Sequence, residues 1–408
     1  MRYFVESYGC TMNFGEGRML AEEMSSLGYV QCGSAEEADI VVLNTCTVVA
    51  TTEKRMIARI SELKKEGKEV VVTGCMAKVQ PNRIQIRLPD APIVPPREYG
   101  HFSQTIIDRF GVAGPPQPVN FGNDAIIPIA QGCLGACTYC ITRFARGALM
   151  SYPQEDLVSR FRTFVNGGSK EILVTAQDTA CYGADTGTNL AELLRSMLET
   201  DGEYRVRIGM MNPNRLGPIA EDLLSMMDDD RLYRFLHIPV QSGSDRVLER
   251  MRRGYTASGF MELVDTLRTS RPDISIATDI ITGFPGETDE DHELTKELVR
   301  NLRADTLNIT RFSARPGTVA EHMEPVHGRI VKERSTELTD LKNETELDVN
   351  KGLVGKDFVA MATEHKDGTV MRTNNYRPIV VKEKLELGGF HRVHVDEARS
   401  TYLIGHLA

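Results

Sequence analysis

Apolar positions in the first third of the chain fall into two alternating patterns. Short continuous apolar runs at 39–44 (Asp-Ile-Val-Val-Leu-Asn) and 69–73 (Glu-Val-Val-Val-Thr) read as buried strands, and 2–7 reads as a third. Amphipathic helical patterns follow near 14–27, 51–66 and 80–87. Strand–helix alternation predicts an α/β fold with a doubly wound parallel sheet. Residues 111–120 (Gly-Val-Ala-Gly-Pro-Pro-Gln-Pro-Val-Asn) break the pattern as a Pro/Gly-rich stretch. A first domain is therefore expected over 1–110 and a linker over 111–122.

Six further strand–helix units are expected over 123–345, with strands near 126–131, 171–175, 205–210, 234–240, 274–281 and 306–312. The helix at 154–165 carries Leu157, Val158, Phe161, Phe164 and Val165 on one face. Six such units can curl into a partial (β/α)6 barrel, whose active site is expected at the C-terminal strand ends. From 346 to 408 the pattern changes again. Short strand-like runs at 358–362, 369–373, 377–382, 391–396 and 400–404 are parted by turns such as Lys366-Asp367-Gly368 and Gly388-Gly389. They predict a small all-β barrel of a kind that often binds oligonucleotides.

The 408 residues are too many for one ordinary core, which agrees with this division. Apolar residues make up 41% and charged residues 26%, as in globular proteins that fold in water. No apolar run approaches the roughly 20 residues of a membrane span. The N-terminal residues lack the apolar core of a signal peptide. A cytoplasmic protein with no membrane partner is expected, and its eight cysteines should be thiols. The net charge of −9 argues against a general nucleic-acid binder. The last 58 residues are the exception, with nine Lys/Arg against seven Asp/Glu, a weak sign of a surface that touches phosphates.

Cys133, Cys137 and Cys140 lie in the run Gly-Cys-Leu-Gly-Ala-Cys-Thr-Tyr-Cys, spaced Cys-x3-Cys-x2-Cys. Three thiolates can hold three irons of a [4Fe–4S] cube and leave the fourth iron open to a small molecule. A zinc site would need a fourth ligand in a second pair, and none lies nearby. The spacing, with Tyr139 before the last cysteine, resembles the radical S-adenosylmethionine (SAM) proteins, in which the open iron binds SAM. Cys10, Cys46 and Cys75 are far apart in sequence, yet each falls just after one of the three N-terminal strands. Parallel strand ends lie side by side where ligands bind, so these three thiols are expected to converge on a second cluster. The alternative is that they are small buried hydrophobes. Cys32 and Cys181 lack such context and are expected to be structural, with Cys32 nearer the surface.

The chain as a whole resembles the radical SAM methylthiotransferases. The resemblance rests on Tyr8-Gly9-Cys10-x-x-Asn13, Asn44-Thr45-Cys46-Thr47-Val48, Thr73-Gly74-Cys75 and the cysteine triplet. It continues through Ile238-Pro239-Val240-Gln241-Ser242-Gly243-Ser244, Asp279-Ile280-Ile281-Thr282-Gly283-Phe284-Pro285-Gly286-Glu287 and Ser313-Ala314-Arg315-Pro316-Gly317-Thr318. One departure is Phe14-Gly15-Glu16-Gly17 in place of the Asp-Ser-Glu run of many members; Glu16 is available for the acidic place. The resemblance implies two [4Fe–4S] clusters and SAM. The barrel cluster would cleave one SAM, the auxiliary cluster would supply sulfur, and a second SAM would give a methyl group. It also implies that Tyr139, Gly167, Gly168, Gln177, Arg207, Gln241, Asp279 and Gly283 lie near SAM, and that the C-terminal barrel is an RNA-binding TRAM domain. A bland reading stands beside each: Gly167-Gly168 could end a helix and Arg207 could sit in an ion pair.

Branches of the family act on tRNA adenosine 37 bearing an isopentenyl or a threonylcarbamoyl group, or on an aspartate of a ribosomal protein. Ile141 to Pro153 here resembles the archaeal and eukaryotic threonylcarbamoyl branch, and the implied partner is the tRNA anticodon stem–loop. The electron donor and sulfur source are not indicated. A threonylcarbamoyl group carries a carboxylate, so Arg143 and Arg146 are candidates to bind it. They could instead pair with protein carboxylates or position the cluster loop. A reading from another class is a non-catalytic iron–sulfur carrier or redox sensor.

Overall fold

The computed structural model describes residues 1–119 and 123–408. The last part of the expected 111–122 linker, residues 120–122, lies outside the described residues; 111–119 form no regular element.

The N-terminal unit is a five-stranded sheet of β1 (Arg2–Ser7), β2 (Val30–Gln31), β3 (Ile40–Thr45), β4 (Glu69–Gly74) and β5 (Ile93–Val94), in the order β2-β1-β3-β4-β5. Every pairing is parallel. β3 is buried along its whole length because helices cover both faces of the sheet. Val41 and Leu43 pack with Met56, Ile60 and Leu63, while Ile40 and Val42 pack with Leu20, Met24 and Phe102. The helices in chain order are α1 (Thr11–Ser26), α2 (Ala50–Lys65), α3 (Cys75–Val79), α4 (Pro81–Gln85) and α5 (Phe102–Phe110). The helix expected at 80–87 is α4, starting at Pro81, which suits the first turn of a helix, and ending early at Gln85; α3 just before it was not expected.

The central unit contains six parallel strands. β6 (Asp124–Pro128), β9 (Glu171–Thr175) and β10 (Arg205–Ile208) form one sheet; β11 (Phe235–His237), β12 (Ser275–Thr282) and β13 (Thr306–Arg311) form the other. A parallel bridge from Val206 to Leu232 connects them into a partial barrel. The strand expected over 126–131 divides. After Pro128 the chain forms β7 (Ala130–Gln131), which pairs antiparallel with β8 (Met150–Ser151). This ribbon closes the base of the loop that carries Cys133, Cys137 and Cys140. Two helices flank the ribbon's outgoing arm: α6 (Thr142–Arg146) before it and α7 (Gln154–Asn166) after it.

The C-terminal unit is a closed barrel of β14 (Asp357–Lys366), β15 (Gly368–Thr373), β16 (Pro378–Val381), β17 (Phe390–Ala398) and β18 (Leu403–Leu407), in the order β14-β15-β16-β18-β17. The last strand begins at 403, not 400. The expected boundary at 345/346 falls inside the helix Gly328–Lys351, which runs on to the barrel. Asn350 at its end donates to Arg399 O and Ser400 O, both at 2.9 Å.

This barrel docks at the N-terminal ends of the central strands. Arg234 N donates to Asn374 O at 2.9 Å, and Asn123 Nδ2 donates to Leu387 O at 3.1 Å. Tyr376 packs on Tyr233 and Phe235, with ring centroids 4.8 and 4.9 Å away. The buried Arg377 donates to Asn350 Oδ1 at 2.5 Å and pairs with Asp305. Removing one partner of a buried pair strands the other charge, so Arg377→Met should destabilise the junction by about 3–5 kcal/mol. Differential scanning calorimetry should show the transition that includes the C-terminal barrel falling, and an unchanged thermogram would refute this account.

Candidate functional site

Both cysteine triplets open on one cavity of about 530 Å³, at the C-terminal ends of the strands. Cys46 and Cys75 follow β3 and β4 directly, and Cys10 stands at the start of α1. Two glycines permit this convergence. Gly9 has φ +104° and approaches Cys46 so closely that a Cβ would lie 2.6 Å from the Cys46 Cβ. Gly74 has φ +82°, and a Cβ there would lie 2.3 Å from Thr45 O. Left-handed backbone and contacts of this kind suit glycine alone. Asn13 ties the loops together: its Nδ2 donates to Tyr8 O at 2.8 Å and Thr45 O at 2.9 Å. The three thiols differ in access, with Cys10 exposed and Cys46 and Cys75 buried.

Across the cavity, Cys133 Sγ accepts from Gly135 N at 3.1 Å, and Cys137 Sγ accepts from Arg253 Nη1 at 3.1 Å. Arg253 also donates to Pro239 O at 3.2 Å and to Tyr255 Oη at 2.8 Å, so its guanidinium is fixed. Tyr139 lines the cavity and meets Phe284 edge-on at 6.3 Å. Gln177 accepts from Gly132 N at 2.7 Å and thereby anchors the start of the cysteine loop. Gln241, held at φ +74°, and His237 add polar groups to the wall. Asp279 stands behind His237, with Oδ2 3.0 Å from Nε2, and accepts from Asn308 Nδ2 at 2.8 Å.

Several expected site residues lie elsewhere or act differently. Gly167 and Gly168 end α7 beside the start of β9, at the opposite end of the barrel from the cavity. Gly283 turns the chain beyond β12 and donates to Glu287 Oε2 at 3.0 Å, outside the cavity wall. Arg207 does line the cavity, yet its guanidinium carbon lies 5.2 Å from the Phe235 ring centre and 4.8 Å from that of Tyr376. Arg143 is exposed at the cavity. Arg146 is buried, with Nη1 paired to Glu16 and Nη2 donating to Asn13, so its terminal nitrogens are already engaged by the protein. Glu16, the candidate for the acidic place in the departing run, is that buried partner. Cys32 is buried, with Sγ donating to Tyr3 O at 3.1 Å, so it is no surface thiol.

Cys181 is not remote from the site. Its Sγ donates to Asp178 Oδ2 at 3.0 Å, and Cys133, Asp178 and Cys181 place their ligand atoms within 4.8 Å of one another. Among the described residues this is the one trio so close; a four-iron cube holds its thiolates further apart than a single ion does. Sequence reasoning missed Asp178, Cys181, His237 and Arg253. Only the proximity of Asp178 to Gln177 could have flagged any of them.

The donor set fits iron–sulfur ligation. Burial pushes the Cys46 and Cys140 thiols up, and the Cys75 thiol up to about 11. Each must lose its proton when metal binds. Cys133 differs: its interaction with the adjoining Cys181 side chain, with help from Gly135 N–H, lowers it to about 7, while Cys181 itself is pushed far up. In reduced metal-free protein at pH 8, iodoacetamide should therefore label Cys133 well before Cys75. Its rate at Cys133 should fall about tenfold per pH unit below 6, following the thiolate fraction. Peptide mass spectrometry reads both, and equal labelling of the two would contradict the assignment.

Comparison with known proteins agrees with this architecture. Residues 2–94 match the model described as "Uncharacterized protein family UPF0004", and residues 127–299 match the radical SAM superfamily. A Pyrococcus abyssi protein named probable threonylcarbamoyladenosine tRNA methylthiotransferase is 39% identical over 99% of each chain. The Danio rerio protein named threonylcarbamoyladenosine tRNA methylthiotransferase is 34% identical over 99% of this chain and 78% of its own. Among solved structures, the radical SAM methyltransferase TsrM of Kitasatospora setae shares the fold with a TM-score of 0.56 at 13% identity, over 78% of this chain and 76% of that one.

Proposed function

The chain belongs to the radical SAM methylthiotransferase family, and we propose that it converts N6-threonylcarbamoyladenosine at position 37 of tRNA to its 2-methylthio derivative. The observation that carries this reading is the pair of thiol triplets, one from each α/β unit, facing a single cavity. A radical SAM protein holds a [4Fe–4S] cluster and SAM, and Cys133, Cys137 and Cys140 are the residues to hold that cluster. Cys10, Cys46 and Cys75 are assigned to a second, auxiliary cluster. When bound, these groups would supply a radical able to take hydrogen from an unactivated C–H bond, a sulfur atom, and a methyl group from a second SAM.

The protein's own residues bind, orient and exclude water. Gln177 anchors the cysteine loop, Tyr139 packs the wall, and Gln241 and His237 offer polar contacts to a bound SAM. Arg143 remains as the cation for the threonylcarbamoyl carboxylate. Val48 and Met210, both exposed where they line the cavity, and Phe144 beside Arg143 offer apolar faces to an unstacked base. A loop nucleotide is already single-stranded, so presenting it costs less than flipping one from a duplex. Among the described residues no helix is long and apolar enough to cross a membrane.

An anaerobic reaction with threonylcarbamoyladenosine tRNA, SAM, reductant and sulfide should yield a new methylthio nucleoside by mass spectrometry. If 5′-deoxyadenosine forms without it, the substrate is wrong, and isopentenyladenosine tRNA or a ribosomal protein takes its place. If an intact preparation forms neither, a non-catalytic iron–sulfur carrier becomes the better reading. Cysteine variants separate the two sites. Cys137→Ala should lose roughly half the iron and all SAM cleavage, whereas Cys46→Ala should lose roughly half the iron and keep cleavage. Full iron and full methylthiolation in Cys46→Ala would eliminate the second cluster.

A further inference from the structure

Arg146 belongs to the barrel unit by sequence and to the N-terminal unit by contact. It ends α6, the short helix that starts two residues after Cys140. α6 rests on α3, whose first residue is Cys75. The Arg146 side chain is fully buried and lines the cavity that holds all six cysteines. Nη1 pairs with Glu16, Nη2 donates to Asn13 Oδ1 at 2.7 Å, and Nε has no hydrogen-bond partner. Asn13 carries that contact onward to Tyr8 O and Thr45 O, the backbone flanking Cys10 and Cys46. The backbone of Arg146 is fixed as well, since its carbonyl accepts from Arg97 Nε at 2.5 Å.

One side chain thus braces the loops that carry all three thiols. Through Asn13 it is tied to the backbone before Cys10 and Cys46, and it lines the cavity together with Cys75, beside its partner Glu16. A second arginine from the same unit flanks the group: Arg315 Nη2 donates to Thr47 Oγ1 at 3.0 Å, next to Cys46, and pairs with Glu53. The barrel unit therefore supplies two cations and part of the scaffold around the N-terminal triplet.

We propose that Arg146 is a positioning residue for the cluster at Cys10, Cys46 and Cys75, setting the spacing of these thiols and supplying the cation that favours the cluster's reduced form. The inference rests on the assignment of a second cluster made above. Its electrostatics are direct. One-electron reduction adds a negative charge to the cluster, and a buried cation nearby lowers the energy of that state. Glu16 opposes the effect. Neutralising Glu16 should raise the midpoint potential, and removing Arg146 from that background should lower it.

The test uses the full chain carrying Cys137→Ala, which retains the N-terminal thiols, reconstituted anaerobically with iron and sulfide. Iron content and the midpoint from an EPR-monitored dithionite titration are compared for this parent, Arg146→Lys, Glu16→Gln, and Arg146→Met combined with Glu16→Gln. The parent should hold about four irons per chain, as one cube requires. Arg146→Lys should keep that iron with a midpoint near the parent's. Glu16→Gln should shift the midpoint upward. The double variant should fall below Glu16→Gln and hold less than half the parent's iron. If it holds none, retention of iron by Arg146→Lys decides for the role of Arg146, and equal loss there decides against it. Equal midpoints with full iron throughout overturn the role of Arg146 and leave the second cluster standing. A parent without iron overturns the second cluster and this inference together.

Discussion

The structure depends on the seam between its two α/β units, and buried arginines hold that seam in register. Each unit brings only three thiols to the cavity, so neither makes the site alone. Arg146 pairs with Glu16, and Arg315 with Glu53, both across the seam and both with the arginine buried. Removing charges from water costs several kcal/mol per ion, and only good geometry with further hydrogen bonds repays it. Each pair gains one further hydrogen bond, through Asn13 at one and Thr47 at the other, while Arg146 Nε, Arg315 Nε and Glu16 Oε2 stay without a partner. Arg18 and Arg160 on the outer edge of the same seam keep partial contact with solvent. Exposed pairs like these contribute little each. The inner pairs specify one docking position rather than simply adding stability.

Loop geometry explains why both triplets lie at the same end. Strands in parallel α/β units present their C-terminal ends together, and connecting loops there can converge without distorting the sheet. The N-terminal unit uses three separate strand ends, with Gly9 and Gly74 allowing the close approach. The barrel unit uses one loop, pinned at its base by the β7–β8 ribbon and by Gln177. Cys46 and Cys75 are buried beneath these loops, while Cys10 stays accessible at the edge. The same low-dielectric setting makes the orientation of Arg253 and Arg146 matter more than it would in water.

Much of this was legible in the sequence, for physical reasons that differ by element. The β-branched runs of β3 and β4 read as strands because a strand covered on both faces is apolar over most of its length and β-branched side chains favour it. The convergence of Cys10, Cys46 and Cys75 followed from strand-end topology. Gly167 and Gly168 were misplaced because a helix-ending glycine and a cofactor glycine look alike in sequence. Topology could have separated them: a helix between parallel strands runs back, so its C-terminus lies at the strands' N-terminal ends. Arg146 was misread because spacing from Cys140 fixes a residue's place on α6 but not which neighbour its side chain meets. Arg253, one of 48 Lys/Arg, carried no signal until the fold placed it against Cys137. Cys32 looked solvent-facing only because its burial depends on Tyr3, a residue far from it in sequence.

The C-terminal barrel lies at the end of the central unit opposite the cysteines, which constrains the substrate on the proposed reading. β12 has eight residues, and at about 3.3 Å each it spans about 26 Å. A ligand held by the far barrel and reacting at the cavity must bridge at least that distance along the outside of the molecule. A free nucleoside cannot do this, whereas an RNA stem–loop can. The two ends are also linked by packing through the protein. Tyr376, in the left-handed region at φ +65°, packs on Phe235 and under Arg207, whose residue also lines the cavity. A non-glycine residue in that conformation persists only where surrounding contacts impose it. Here those contacts are with the floor of the central barrel. The position of the C-terminal barrel is thereby keyed to the cavity wall by packing rather than left to a flexible tether.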